Sequence, residues 1–318
     1  MTNVQAMTVA PTEVSAAETT VISARDKHLP SRVVSAKVKL RPRLRDIWGS
    51  RELIVFLIRK ELKVRYKNSV LGFLWSFLNP ALILLVYDVV FSVFLVNHTS
   101  YFAVYLFSGL LAWNVFNNSL LSASGVLVAH AGIVKKVSFP REILALSQVG
   151  TAICYFFFQS CIMLAFLIGF QVIPAWRYFP VMLLALVCDI VLSSALAVFL
   201  SAVNVYLRDV QHLIEVALVA LFFSPPIVYG YTLVATKLAH HHLLWLYFLN
   251  PLVPIVMSFQ RFIYGNVVQP KGVLPPLPTY GYTWYLMALG IVFVASIAMF
   301  LAAMVIFGRV EGNFAEEL

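Results

Sequence analysis

The stretch Arg51-Glu-Leu-Ile-Val-Phe-Leu-Ile-Arg-Lys-Glu-Leu-Lys-Val-Arg-Tyr-Lys67 runs without a break into Asn68-Ser-Val-Leu-Gly-Phe-Leu-Trp75. Its spacing predicts a helix with two unlike sides. Glu52, Arg59, Lys60, Lys63 and Lys67 gather on one, while Ile47, Ile54, Ile58, Leu62 and Tyr66 gather on the other. That division suits a helix lying in a membrane interface, with its cations among headgroups. An almost charge-free apolar chain follows at once. A basic amphipathic helix fused to a membrane span places that end of the span in the cytoplasm, and the remaining topology follows from it.

Working outward, 14 of the chain's 23 lysines and arginines lie before residue 68. Of the 318 residues 61% are hydrophobic and 12% charged, which excludes an ordinary soluble domain. The net charge of +9 sits on one arm, so anionic lipid explains it better than nucleic acid. Cys154, Cys161 and Cys188 lie in apolar stretches without metal-ligand spacing and read as small buried hydrophobes. No cleavable signal is expected in residues 1–45, which read as a disordered tail.

A helix crossing about 30 Å of hydrocarbon needs about 20 apolar residues. Six stretches qualify: about 70–96, 102–127, 144–170, 180–205, 212–229 and 284–307. Ser224-Pro225-Pro226 should break the fifth. With the amino terminus inside, Lys135, Lys136, Arg141, Arg208 and Arg309 also fall inside, leaving Arg177, Lys237, Arg261 and Lys271 outside. The positive-inside rule then gives six spans with both termini cytoplasmic. The chain divides into the 1–45 tail and a transmembrane domain over 46–318. That domain comprises the interface helix 46–67, the spans within 70–307 and a cytoplasmic end at 308–318.

Between spans five and six, residues 243–250 and 251–264 form two apolar helices too short to cross. Asn250 suits the N-cap, Pro251 the first turn and Gly265 the C-cap. They should lie at, or dip into, the outer interface, as a packing lid or as an exit gate. Asp88, Asp189 and Glu215 are acids within spans and must face protein or water. Asp189, Ser193, Ser201 and Asn204 form one polar stripe, and Asn114, Asn118, Ser122 and Gly125 another. Such stripes serve either as helix–helix glue or as the lining of a path. Aromatic faces (Tyr87, Phe91 and Phe94; Phe102, Tyr105, Trp113 and Phe116) either stack on sugars or anchor the helices. No phosphate-binding loop or hydrolase motif occurs in the sequence, so ATP is not bound here in that manner.

Glu61-Leu-Lys-Val-Arg-Tyr-Lys-Asn-Ser-Val-Leu-Gly-Phe-Leu-Trp-Ser-Phe-Leu-Asn-Pro80 resembles the entry to the first span of type-2 ABC-transporter permeases. The likeness is to the branch exporting O-antigen, teichoic acid and galactan. It continues in Val134-Lys-Lys-Val-Ser-Phe-Pro-Arg-Glu-Ile-Leu144, Asn204-Val-Tyr-Leu-Arg-Asp209 and Phe223-Ser-Pro-Pro-Ile227. Leu249-Asn-Pro-Leu-Val-Pro254 and Glu311-Gly-Asn-Phe-Ala-Glu-Glu-Leu318 complete it, so it covers about residue 50 to the end.

The resemblance implies a homodimer paired with two copies of a separate ATPase, which binds ATP and Mg²⁺ while this chain holds no cofactor. It implies a coupling helix at about 123–135, with Val128, His130, Lys135 and Lys136 as candidate coupling residues, and outer gate helices at about 235–264, with Asn250, Pro251, Phe259 and Phe262 as candidates. The implied cargo is a polyprenyl-pyrophosphate-linked polysaccharide leaving the cytoplasm across the bacterial inner membrane. Arg59, Lys60, Lys63, Arg65 and Lys67 are candidates for guiding the pyrophosphate, or equally for contacting ordinary anionic lipid. Tyr87, Asp88, Phe91, Asn114, Asn118, Asp189 and Ser193 are candidates for the path. Rival functions are a drug or small-lipid exporter of the same fold, and an embedded glycosyl- or acyltransferase using Asp88 and Asp189. A purely structural scaffold is disfavoured by the intramembrane acids.

Overall fold

A computed structural model describes residues 40–65, 71–90, 99–137, 139–239 and 244–318, apart from the side chains of Phe73, Ala315 and Glu316. Among the described residues every regular element is helical. Tyr66, Lys67, Phe91, Phe94 and residues 1–39 of the expected tail lie outside them.

The entry region forms α1 (Leu40–Gly49) and α2 (Arg51–Arg65), broken at Ser50, whose hydroxyl donates to the Asp46 carbonyl at 2.9 Å. Helix is therefore present from Leu40, inside the stretch expected to be tail. Ile47 is buried and Ile54, Ile58 and Leu62 half-buried, while Glu52, Arg59, Lys60 and Lys63 are exposed, as the spacing requires. Phe56 and Val64 are exposed beside those cations.

The six expected spans correspond to α3 (Trp75–Val89), α4 (Phe102–Ser124), α7 (Glu142–Gly169), α8 (Phe179–Tyr206), α9 (Val210–Phe222) and α13 (Tyr282–Val310). Between α4 and α7 lie the single turns α5 (Val126–Ala129) and α6 (Ala131–Val134); between α9 and α13 lie α10 (Tyr231–Ala239), α11 (Leu244–Phe248) and α12 (Leu252–Tyr264). The chain ends in α14 (Phe314–Glu317). Three of the segments, Glu142–Gly169, Trp176–Tyr206 and Tyr282–Asn313, are long and apolar enough to cross a membrane. Among the described residues the other three are not, each for its own reason. Helix α4 is 23 residues long but carries Asn114, Asn117 and Asn118, and it is buried almost all round by its neighbours. The described part of α3 is 15 residues. Helix α9 has 13, about 20 Å, and stops just before the expected Ser-Pro-Pro break.

That break frees backbone carbonyls, and tertiary contacts satisfy them. Tyr229 donates to the carbonyls of Phe223 at 2.8 Å and Ser224 at 2.7 Å. The Pro226 carbonyl accepts from Tyr105 at 2.8 Å and from Gln260 at 2.7 Å. A broken helix in an apolar medium persists only with such replacements.

Helices α4, α8 and α12 meet in the main core, which includes Tyr105, Phe107, Phe259 and Tyr264. Helix α13 packs along α8, and α2 along α7. The outward faces of α9 (Leu213, Val216, Val219) and α13 (Met287, Ile291, Val294) are apolar and exposed. An aqueous protein would hide such surfaces; a bilayer solvates them. The same reason corrects the expectation for the cysteines: Cys188 is buried, but Cys161 is exposed.

Candidate functional site

Two concave regions gather the expected polar residues. The first is a cavity of about 170 Å³ between α3, α4 and α7 with the end of α2 at its side. One turn-spaced face of α3 (Ser76, Asn79, Ile83) and one of α4 (Leu110, Asn114, Asn118) line it, with Tyr155 and Gln159 of α7 opposite. Asn114 Nδ2 donates to Gln159 Oε1 at 3.0 Å. The Arg65 guanidinium lies 4.8 Å from the centre of the Tyr155 ring, a cation–π contact, and lines the same cavity. Folding thus joins Arg65, read as a phosphate-guiding residue, to Asn114 and Asn118, read as path residues. Ser76, Asn79 and Gln159 were not foreseen. Their only sequence signal is polarity within an apolar run, and nothing in the chain order pairs them with Arg65.

The second is an open, mostly apolar groove of about 380 Å³ between α4 and α9, lined by Trp113, Asn117, Leu121, Glu215, Leu218, Phe222 and Phe223 together with Val219 of the exposed α9 face. Glu215 is half-exposed there, 3.6 Å from His212 Nδ1. The acid expected to face protein or water lies on the surface of the subunit, and Asn117 joins it one step off the stripe read from the sequence.

Asp189 and Ser193 are not brought to either place. Both are fully buried within the subunit, where Ser193 Oγ donates to Asp189 Oδ1 at 3.4 Å. Ser201 and Asn204 are buried as well, and Asn204 Oδ1 accepts from the Gln211 amide at 3.2 Å. This stripe faces other helices, and its residues line none of the cavities described, which favours the packing alternative over the lining one. Tyr87 and Asp88 are half-buried on α3, and Phe91 lies outside the described residues.

The α5–α6 turns make an exposed knuckle. Lys135, Lys136, Ile133 and Val137 are exposed on it, while Val128 and His130 are half-buried. Its root is packed tightly: a Cβ on Gly125 would come within 2.7 Å of Gln211 Oε1, at the start of α9.

In the outer segment, Asn250 Oδ1 accepts from the Leu252 amide at 2.9 Å, and Asn250 Nδ2 donates to Ser224 Oγ at 2.7 Å. Asn250 therefore caps α12 and fastens it to the broken end of α9, with Pro251 leading into the first turn. Phe259 is wholly buried against Phe156, and Phe262 lies between Trp176 and Phe179. Gly265 does close α12, but with φ −61° and not a left-handed turn. Its lack of a side chain serves close approach instead, because a Cβ would meet the Arg261 carbonyl at 2.2 Å.

A bundle with three helices able to cross a bilayer and wide apolar outer faces defines a multi-pass membrane protein. The sequence profile of the ABC-2 type transporter family matches residues 52–264, and the chain belongs to that family. It is 33% identical over 225 residues to the O-antigen export system permease protein RfbA of Myxococcus xanthus, covering 70% of this chain and 84% of that one. A protein of the same name from Klebsiella pneumoniae is 25% identical over 267 residues, covering 84% and 95%. The resemblance carried by Glu61–Pro80 and the later blocks is borne out. The relatives are named as permease proteins of an export system, and this chain, as a member of the same family, is a transporter component.

Proposed function

We propose that the chain is the channel-forming subunit of an ATP-driven exporter that moves a polyprenyl-pyrophosphate-linked polysaccharide out of the cytoplasm. The observation that carries this reading is the likeness to O-antigen export permeases along 84% of the chain. In this reading two copies pair in the bacterial inner membrane, with both termini cytoplasmic and six crossings in each. Two copies of a separate ATPase, which bind ATP and Mg²⁺, dock beneath the Val126–Val137 knuckle. The open groove with Trp113, Asn117 and Glu215 suits the wall of a path that a second copy completes, because rings stack on sugar faces and amides meet hydroxyls. The exposed cations Arg59, Lys60 and Lys63 suit attraction of a lipid pyrophosphate. Closure of the ATPases would act on α9 through the Gly125–Gln211 contact, biasing one of two arrangements. The outer helices α10–α12 would form the rim of the exit.

The test is purification of the tagged chain from native membranes in mild detergent, together with deletion of its gene. A stoichiometric partner bearing a phosphate-binding loop, with lipid-linked glycan trapped inside the deletion strain, is the expected result. A chain that comes out clean at every detergent strength, or a deletion that alters only drug sensitivity, would overturn it.

A further inference from the structure

Among the described residues, two that are not glycine have a positive φ: Tyr101 at 48° and Gln171 at 55°. An L side chain is crowded in that conformation. Tyr101 holds the N-cap position of α4, where an extended backbone and Ser, Thr, Asp or Asn are usual. Gln171 follows the end of α7, in the position that glycine ordinarily takes. The Gln171 amide donates to the Ile168 carbonyl at 3.2 Å and the Val172 amide to the Leu167 carbonyl at 2.9 Å, the paired bonds of a Schellman ending. Neither side chain is thus the one its local backbone prefers. Both line the same open pocket, of about 440 Å³. Strain of this kind persists where a site has use for it.

Three connections build the pocket, and hydrogen bonds between them fix its walls. Asn266 Nδ2, just beyond α12, donates to the Pro174 carbonyl at 3.1 Å, and the Ala175 amide donates to the Phe262 carbonyl at 2.7 Å. The Ser100 amide donates to Gln269 Oε1 at 3.1 Å, while Gln269 Nε2 donates to the Tyr264 hydroxyl at 2.8 Å. The Tyr101 ring is 47% exposed and is backed by Phe170, their centres 5.8 Å apart. Gln171 and Asn266, both exposed, bring an amide each, and Val172, Ile173 and Val268 add apolar surface. Among the described residues no charged side chain lines the pocket. A ring, two amides and no charge suit a neutral sugar, whose C–H face stacks on the ring while its hydroxyls meet amide donors and acceptors. A phosphate would find no cation there, and an acyl chain would leave both amides unmatched. The volume lies in the range of small-molecule sites, about 300–1,000 Å³.

We propose that this pocket binds a neutral hexopyranose unit of a glycan at the outer face of the membrane, with Tyr101 as the stacking ring and Gln171 and Asn266 as the hydrogen-bonding amides. The inference rests on the exporter reading for the outward placing of the three connections and for the glycan as the source. The pocket shares no lining residue with the α4–α9 groove, so it is a separate site beside the exit and no part of that groove's wall.

The test uses the full chain in phosphatidylcholine nanodiscs, without nucleotide. Methyl glycosides of glucose, galactose, mannose and rhamnose, methyl glucuronide, and oligosaccharide released from the native cells' surface polysaccharide are titrated by saturation-transfer NMR. Wild type should bind at least one neutral glycoside saturably, and the glucuronide more weakly. Tyr101→Leu and Asn266→Ala should each weaken binding by about fivefold or more. Gln171→Gly should do the same while the melting temperature holds or rises, because glycine accepts the positive φ without strain. Trp176→Leu, which removes another exposed ring outside the pocket, should change binding less than about twofold. Equal losses in Trp176→Leu and Tyr101→Leu, unchanged binding in Gln171→Gly, or no saturable binding of any probe would overturn the site. Tighter binding of the glucuronide would overturn the neutral assignment. Oligosaccharide bound about tenfold tighter than any methyl glycoside would uphold the glycan as the source, and equal affinity would overturn it in favour of a free sugar. Because neither ATPase nor export enters the assay, failure here is distinct from failure of the exporter reading, which copurification and gene deletion decide.

Discussion

Single side chains hold the broken fifth helix together. Tyr105 donates to Pro226 and lies 3.0 Å from the Tyr229 carbonyl, at a place no water can reach. Tyr105→Phe leaves the Pro226 carbonyl with Gln260 alone and removes the donor beside the Tyr229 carbonyl, a loss of about 0.5–1.5 kcal/mol. A fall in melting temperature in detergent, with unchanged membrane insertion, is the expected outcome; an unchanged melting temperature would show that the break is held by other contacts. Asn250→Ala should cost about 0.5–2 kcal/mol through lost capping, and Asn250→Ser should recover most of it. Lys60→Glu combined with Lys63→Glu should block export yet leave insertion and melting unchanged, since both side chains are exposed and no ion pair links them to the described residues. Unaltered glycan export in that double variant would remove the pair from the mechanism.

At the scale of elements, the junction of α2 with α7 is set by a glycine. A Cβ at Gly150 would stand 2.3 Å from Ile58 Cδ1, so a larger residue must displace the Ile58 side chain that seats α2 on α7. Gly150→Leu should cost about 1–3 kcal/mol by overpacking and reduce export. Adding Ile58→Ala should recover part of both, because it vacates the space the new side chain needs. Double-mutant analysis by thermal melting gives the coupling directly, and additive losses would sink the idea that this contact seats the helix. The two-sided character of α2 was legible in its spacing, since faces 53/54, 57/58 and 61/62 turn inward as a helix of about 3.6 residues per turn dictates. Its packing partner was not, because an amphipathic pattern defines which side is buried but not against what.

Across the whole molecule, one charged cluster joins parts far apart in sequence. Arg43 of α1 bonds to both Glu142, at the start of α7, and Glu311, just beyond α13. Arg141 donates to the Glu311 carbonyl at 2.6 Å and lies over Phe314, 5.8 Å from its ring centre. The first helix of the entry region, the start of α7 and the carboxyl-terminal end are therefore bound together. Glu142 is wholly buried, so Arg43→Ala strands its charge and should cost about 3–5 kcal/mol. Glu311→Ala, at a half-buried position, should cost clearly less. Equal melting temperatures for the two variants would show that the cluster is no clamp. Folding brings Glu142 to Arg43, 99 residues away, a pairing that no local spacing gives.

The sequence by itself determined the class of this protein, its helical content and the site of its break. These follow from quantities local in the chain: apolar run length against bilayer thickness, 3.6-residue periodicity, and the missing amide of proline. It also carried the family, through ordered blocks from Glu61 to Leu318. Only the tertiary structure decided which polar residues are packing and which line a cavity. Asp189 and Asn114 look alike as polar residues in apolar helices, yet one is sealed within the subunit and the other opens onto a pocket beside Arg65. The facing of a side chain depends on which helices surround it, and those partners are brought together by packing over long separations that no local spacing encodes.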